Sequence, residues 1–463
     1  MTKNLASSTD AQGLRTLLLI NPVDKRRTGF SQDQISKFPP LALGVVAALT
    51  PKNWRIKIID ENFKEAKYKE ADLVGITSYT ENAARAYEVA SLFREKGVPV
   101  VMGGIHASMC PDEALKFCNS VVIGEAESLW PQAIKDFESG FLKDKYQSKE
   151  YIDASQIPHA RHDLFHPLYW YRIIQTSRGC PHDCEFCTVT AFNGRRYRKR
   201  PVEEVLDEIE SCKSNFKSFI FADDNLIGNT PSDRARALEL FKGIVERKLN
   251  IQWFSQVTVD IADYPELLYW ARKSGCRILL VGVEAETNDG LEKLNKKVNQ
   301  RKGGKLYYKK AFRIINRHRI AVLGTFILGL ETDSKQDILN RAHFIVDSWV
   351  DAAQTSILTP FPGTRLYTRL SNTEKINCSN FPNDWHYFRF MDLTYNHPEL
   401  PHEELASTVE QAWRIIYRKR IIFTKAIKTL LVTRSLSAML WAYNSNLRYR
   451  RDVLQQPVRR LKE

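Results

Sequence analysis

The stretch Gly179-Cys180-Pro181-His182-Asp183-Cys184-Glu185-Phe186-Cys187 holds three thiols, separated by three residues and then by two. Loops this short strain a disulfide, and three is an odd number, so the spacing speaks for a metal or cluster site. A closed zinc site or an ordinary iron–sulfur site takes four protein ligands, and the triad is one short. Either a zinc ion borrows a distant ligand such as His182 or Cys212, or a four-iron cluster keeps one iron open to an exchangeable ligand.

Two further sets of polar residues follow apolar runs. Downstream of the triad these are Asp223-Asp224-Asn225, Gln256 with Thr258, Glu284 with Glu286, Gly324 with Gly329, and Pro360-Phe361-Pro362-Gly363-Thr364. A core strand that ends in paired carboxylates is costly to desolvate unless a cationic or hydrogen-bonding group meets it. Upstream lie Asn21-Pro22, Ser78-Tyr79-Thr80, Gly103-Gly104-Ile105-His106 and Gly124-Glu125-Ala126-Glu127. Glycines there let a backbone approach a flat or phosphorylated ligand. The run Arg195-Arg196-Tyr197-Arg198-Lys199-Arg200 reads either as a solvated basic loop or as a site where Arg198 or Arg200 grips a carboxylate or phosphate with its bidentate fork.

The elements that must position these residues alternate in type. Short apolar runs over 15–20, 54–59, 72–77, 98–102 and 119–123 read as buried strands, with helical patterns at 41–49, 83–96 and 111–117 between them. That alternation predicts a doubly wound parallel sheet over 15–140, whose ligands bind beyond the carboxyl ends of the strands. Residues 141–168, with Pro158, Pro167 and the histidines His159, His162 and His166, read as a solvated linker rather than a metal site. From 169 to 370 the alternation restarts: strands at 171–176, 218–222, 251–256, 277–283, 321–328 and 353–358 enclose helices at 201–213, 232–247, 265–273, 305–317 and 334–348. Six such steps suit a partial (β/α) barrel, with its chemistry at the carboxyl ends of the strands. Residues 371–463 read as a helical, basic extension, and 1–14 as a flexible tail.

The cysteine spacing, with aromatic Phe186 before Cys187, resembles the radical S-adenosylmethionine (SAM) superfamily. That resemblance implies that Cys180, Cys184 and Cys187 hold a 4Fe–4S cluster whose open iron is chelated by SAM. One electron then cleaves SAM to a 5′-deoxyadenosyl radical, which abstracts hydrogen from an unactivated carbon. By the same resemblance Asp223, Asp224, Asn225, Gln256, Glu284 and Gly324 line the SAM site. The upstream order, with Asn-Pro after the first strand, Pro40-Leu41-Ala42-Leu43-Gly44, the Gly-Gly-x-His turn and Gly-Glu-x-Glu, resembles the cobalamin-binding domain that precedes many radical SAM domains. It implies a cobalamin site formed by Asn21, Ser78, Tyr79, Gly103, Gly104, Gly124 and Glu125. None of the ten histidines sits in the Asp-x-His-x-x-Gly pattern that supplies a lower axial ligand to cobalt.

The resemblance therefore implies a cobalamin-type radical SAM enzyme that methylates an unactivated carbon and draws its electron from a flavodoxin- or ferredoxin-type donor. A radical cyclase or other carbon–carbon bond-forming enzyme without cobalamin methyl transfer is the alternative enzyme reading. A non-catalytic cobalamin or iron–sulfur sensor is the alternative from another class, against which the polar strand ends argue.

Bulk composition bounds these readings. The chain has 463 residues and a net charge of +14, and 13 of its Lys and Arg lie beyond Trp413 against two acidic residues. Nucleic acid is not an expected partner of the near-neutral remainder. The basic tail interleaves Trp413, Ile416, Ile421, Ile422, Phe423, Ile427, Leu430, Leu431, Leu436, Met439, Leu440 and Trp441 with its cations. Such a segment lies on an anionic membrane or packs on the barrel with a solvated face. It tilts the substrate expectation towards a lipid or other hydrophobic molecule. The five remaining cysteines show no pairing pattern, the usage of a reducing compartment. No signal-peptide core or spanning run is apparent, so the expected location is cytoplasmic, with peripheral contact at the inner membrane face.

Overall fold

The computed structural model of the protein describes residues 14–24, 37–213 and 218–459, so the expected N-terminal tail lies outside it except for Leu14. The chain divides into two compact units, one ending at Trp170 and the other beginning at Tyr171, with Asn380–His386 returning to the first.

The first unit is built on six parallel strands: β1 (Arg15–Asn21), β2 (Trp54–Asp60), β3 (Leu73–Thr77), β4 (Val100–Gly103), β5 (Ser120–Ile123) and β6 (Lys145–Gln147). Their order is β2-β1-β3-β4-β5-β6, so the winding direction reverses between β1 and β3. The apolar run Leu17–Leu18–Leu19–Ile20 is almost wholly excluded from water, as a strand covered on both faces requires. Leu43 and Ala47 of helix Leu41–Leu49 and Trp130, Ala133 and Ile134 of helix Ala126–Glu138 share an apolar cluster with Leu17, Leu19 and Val101.

Residues 141–168 are not a solvated linker. They supply β6 and then fold back on the first unit, where Arg161 N–H donates to the Gly44 carbonyl at 3.0 Å. A side chain at Gly44 would collide with the Phe165 ring, so the glycine admits that aromatic. His166 stacks on Phe63, and Tyr169 Oη donates to Asp60.

The second unit carries β7 (Arg172–Ile174), β10 (Ser218–Phe221), β11 (Gln252–Val257), β12 (Cys276–Glu284), β13 (Ala321–Leu328) and β14 (Ala352–Ile357), all parallel and in chain order across one sheet. A small antiparallel pair, β8 (Ser177–Arg178) and β9 (Arg198–Lys199), branches from the end of β7. Helix Pro231–Glu246 begins with a reciprocal cap: Thr230 Oγ1 accepts from Asp233 N–H, and Asp233 accepts from Thr230 N–H. Such a cap contributes about 1 kcal/mol.

The basic tail is part of this unit's core. Leu405, Val409, Ala412, Trp413, Ile416, Tyr417, Ile422, Tyr449 and Val453 join the central apolar cluster with Val322, Ile345 and Ala353. They come from helices His402–Ile416, Lys419–Thr433 and Leu436–Gln455, with Tyr417 just past the end of the first. Lys425, on the second of these, is buried and donates to the carbonyls of Ile345 and Val350, both at 3.0 Å. These lie at the end of helix Lys335–Asp347 and just beyond it.

Burial, reinforced by neighbouring Lys428, depresses the Lys425 ammonium to about 7. A base with a depressed folded pKa binds fewer protons folded than unfolded between that value and its ordinary one near 10.5. Stability is therefore expected to rise as pH climbs from 7 towards 10. Urea unfolding across that range should show the rise in the native protein, and Lys425→Met should flatten it.

Candidate functional site

The cysteine loop leaves β8, turns through Cys180, Cys184 and Cys187, runs into helix Thr188–Asn193 and returns along β9. Gly179, just before the first thiol, has φ +86°, and a Cβ there would lie 2.3 Å from the Arg196 carbonyl oxygen, so only glycine fits. All three thiols are free and partly exposed. Burial pushes Cys180 up to about 11 and Cys187 up to about 12, with Cys184 adding to both. In the absence of iron they are protonated thiols, so iron binding would release protons. Among the described residues no three of His, Cys, Asp and Glu converge on a single ion. Cys212, the other ligand considered for zinc, donates instead to the Glu208 carbonyl of its own helix at 3.1 Å. Three free thiols on one short loop are a donor set that a cluster with one open iron would take.

Contacts distant in sequence fasten the loop. Asp224 Oδ2 accepts from Gly179 N–H at 2.9 Å and from Asn193 Nδ2 at 3.0 Å, and burial pushes its carboxyl up to about 6. Asp223 is fully buried and accepts from the Thr176 and Ser177 hydroxyls. Arg236 crosses beneath, donating to the Thr176 hydroxyl and to the carbonyls of Thr176 and Arg200. On the far side Asn295 Nδ2 and Arg365 Nη2 donate to the Asp183 carbonyl at 2.6 and 2.7 Å, and Arg369 pairs with both Glu185 and Glu331. Phe186 packs against the apolar cluster of Ala285, Leu294, Ile327, Leu366 and Tyr395.

Neither carboxylate of the Asp223-Asp224 pair is therefore simply aimed at a ligand; the pair ties the cysteine loop to the end of β10. Asn225 comes closer to the expectation. Its Nδ2 donates to the Gly228 carbonyl, while its buried Oδ1 lacks a partner among the described residues. The same is true of Thr258 Oγ1 and Asp260 Oδ1 beyond β11, and of His182 Nε2 inside the cysteine loop. A group of orphaned buried polar atoms at neighbouring strand ends is what a ligand rich in hydrogen-bonding groups would satisfy, and SAM is such a ligand. Gln256 is exposed at the end of β11.

Glu284 ends β12 in a left-handed conformation, φ +65°, where the pairing with β13 is irregular. Its carboxylate meets Lys296 Nζ at 2.8 Å and the Thr325 hydroxyl at 3.3 Å. Burial opposes the charge on Lys296, but Glu284 and then Cys184 more than offset it and hold the ammonium above its usual range. A Cβ on Gly282 would lie 2.7 Å from that ammonium, so glycine makes room for the pair.

Three expectations need correction. Gly324 lies in mid-strand, paired with Val281 and Ala353, and its missing side chain makes room for Phe326 and Val350 in the core. It does not reach the strand ends. Arg198 and Arg200 are buried rather than solvated. Arg200 does grip a carboxylate, but that of Glu208 at 2.6 Å, eight residues on.

In the first unit the expected residues gather beyond the carboxyl ends of β1, β3, β4 and β5, around the point where the winding reverses. Ser78 is buried: its N–H donates to the Gly103 carbonyl, and its own carbonyl accepts from His106 N–H. A side chain on Gly104, φ +91°, would come within 2.8 Å of the Ser78 backbone. Ser108 Oγ donates to the Gly104 carbonyl and accepts from Gly124 N–H, locking the two glycine turns together. Gly124, φ +90°, has open space where a Cβ would point, and Tyr79, next to Ser78 in the chain, is exposed. An open glycine surface of this kind fits a flat macrocycle. Two residues serve the protein rather than a ligand. Asn21 Nδ2 donates to Asp60, and Glu125 Oε2 accepts from Ile152 N–H at 2.9 Å. His106 is also committed: Nδ1 faces Thr80 Oγ1, and Nε2 faces Tyr87 Oη at 3.1 Å and Glu113 at 3.4 Å.

Sequence reasoning missed Lys296, Asn295, Arg236, Arg365 and Arg369. Lys296 lies on the connection between two short helices, and Arg236, Arg365 and Arg369 lie on helices, where nothing local distinguishes them from surface charge.

Comparison with known proteins agrees with this division. Residues 36–134 match the B12 binding domain and residues 174–345 match the Radical SAM superfamily. The bacteriochlorophyllide d C-12(1)-methyltransferase of Chlorobaculum tepidum is 28% identical over 428 residues, covering 88% of each chain. The hopanoid C-2 methylase of Rhodopseudomonas palustris is 28% identical across 74% of this chain and 66% of its own. Among solved structures, the radical SAM methyltransferase TsrM of Kitasatospora setae superposes with a TM-score of 0.67 at 16% identity, over 93% of this chain and all of that one. In this chain a parallel sheet wound about a switch point is followed by a second sheet whose first strand feeds a triad of thiols, and the chain is a radical SAM superfamily protein with a B12 binding domain, related to the class B methylases.

Proposed function

We propose that the protein is a cobalamin-dependent radical SAM methyltransferase that methylates an unactivated carbon of a hydrophobic substrate. The observation that carries the reading is the cysteine loop. Three thiols are held in place by Asp224, Asn295, Arg365 and the Phe186 anchor, beside orphaned polar atoms of Asn225, Thr258 and Asp260. A 4Fe–4S cluster and cobalamin, when bound, would supply one-electron cleavage of SAM and delivery of a methyl group to carbon.

In this reading Cys180, Cys184 and Cys187 hold the cluster, and an electron arrives from a flavodoxin- or ferredoxin-type donor. Asn225, Gln256 and Glu284 hold and orient SAM. Gly103, Gly104 and Gly124 present backbone to the corrin, buried Ser78 braces the Gly103 turn, and exposed Tyr79 follows Ser78 in the chain. Both ring nitrogens of His106 already face protein partners, so that side chain would not be free to hold a corrinoid.

Support for a hydrophobic substrate comes from the curated relatives, whose names specify a bacteriochlorophyllide and a hopanoid. Both are large and polycyclic. We infer a substrate of that kind, a tetrapyrrole or an isoprenoid lipid.

The test is mass spectrometry of lipid and pigment extracts from cells with and without the gene, fed methyl-labelled methionine. The expected result is a product heavier by one methylene and carrying the label. A product lighter by two hydrogens, without label, would replace methylation by cyclisation.

A further inference from the structure

Helix Lys419–Thr433 is inside out. Its buried stripe is Ile422, Lys425, Ala426, Thr429 and Thr433, three of the five polar. Lys425 caps the Ile345 and Val350 carbonyls, and Thr429 Oγ1 donates to buried Asp351 at 2.6 Å. The apolar residues face outward: Phe423 is 59% exposed, Ile427 39% and Leu431 72%. Spaced four residues apart, they form one ridge. Arg420 and Arg434 are exposed at its two ends.

The ridge continues on both sides. The turn at Arg434 leads into helix Leu436–Gln455, whose first residues add exposed Leu436 and Leu440. Helix Lys305–Arg317 lies alongside, tied on by Lys428 Nζ donating to Asn316 Oδ1. It turns outward Leu306, 82% exposed, with Lys310, Arg313 and Arg317. Arg313 stacks over the ring of Trp349, which is itself half-buried.

A solvated helix places its charges of both signs outward and its apolar residues inward. Here neither Lys305–Arg317 nor Lys419–Thr433 contains a single Asp or Glu. An apolar ridge on helices whose own charges are all cationic is complementary to a surface that is greasy beneath and negative on top.

We propose that this face docks the protein on an anionic lipid bilayer, with Phe423, Ile427, Leu431, Leu436 and Leu440 reaching into the acyl boundary. Lys310, Arg313, Arg317, Arg420 and Arg434 meet the headgroup phosphates. The inference is independent of the methyltransfer reading, because none of these residues belongs to the cysteine loop or to the strand ends.

Flotation of the full-length, cluster-loaded protein with vesicles of phosphatidylcholine alone, or of phosphatidylcholine mixed with phosphatidylglycerol, tests it. The protein should float with the anionic vesicles, not with the neutral ones, and should be released by salt. Each cation near such a surface is worth roughly a fivefold factor in partitioning, so Lys310→Glu with Arg313→Glu should lower binding at least about twentyfold. Phe423→Asp with Leu431→Asp should abolish it. Unchanged thermal melting and iron content of both variants would show that the fold is intact. Equal flotation with neutral vesicles, or flotation with neither, would overturn the proposal. So would a concentration-dependent dimer that Phe423→Asp with Leu431→Asp dissolves, which would assign the face to a second copy of the chain.

Discussion

Replacing any one of Cys180, Cys184 or Cys187 by alanine is expected to reduce bound iron to background and to abolish 5′-deoxyadenosine formation from SAM. A cluster with only three protein ligands has none to spare. The thiols also sit where burial disfavours their charged form, so two of them do not form a strong site by themselves. Cys212→Ala is the matched control: that thiol donates to its own helix at 3.1 Å, and its loss should cost only about 1 kcal/mol of stability with iron unchanged. His182→Ala should likewise keep its iron. Iron retained after all three cysteines are replaced, or zinc found in place of iron after anaerobic preparation, would remove the basis of the functional reading.

The sequence carried the order of these elements because most strands of both sheets are short apolar runs, several of them buried on both faces, and such runs stand out against the helices between them. Strands β1 to β5 and the six of the second sheet were legible for that reason. β6 was not, since Lys145–Gln147 buries only its middle residue. Nor were β8 and β9, two residues each, although that small pair carries the cysteine loop. The tail was legible as basic and amphipathic but not in its orientation. Trp413 and Ile422 turn inward while Phe423 and Leu431 turn outward, and periodicity alone does not say which stripe meets the core. The return of Asn380–His386 to the first unit was also hidden. Trp385 donates to Glu113 at 2.9 Å and packs edge-on against His106, a contact spanning 272 residues of chain. In the site itself the thiols were legible because their spacing is local. Gly324 was misread because a glycine near a strand end and a glycine that makes room in a core look alike in sequence.

Lys296 was the least legible of the site's charges, and its replacement should have the largest effect outside the cysteines. Lys296→Met leaves the Glu284 carboxylate buried without its cation, which is expected to cost about 3–5 kcal/mol. Equilibrium unfolding should register that loss directly. Lys296→Met combined with Glu284→Gln removes both charges, and stability should return to within about 1–2 kcal/mol of the native protein, because neutral groups of similar size then fill the same space. The two readouts then separate structure from chemistry. If the pair only braces the end of β12, the double variant recovers SAM cleavage along with its stability. We expect it not to: removing a preorganised charge from a reacting site lowers turnover by about a hundredfold or more. The pair adjoins the cysteine loop: just before Lys296, the Leu294 carbonyl accepts from Glu185 N–H at 3.0 Å and Asn295 donates to the Asp183 carbonyl at 2.6 Å, on either side of Cys184. A double variant that is stable and iron-loaded but slow in forming 5′-deoxyadenosine assigns the pair to holding SAM. A double variant that is both stable and fully active confines it to the fold.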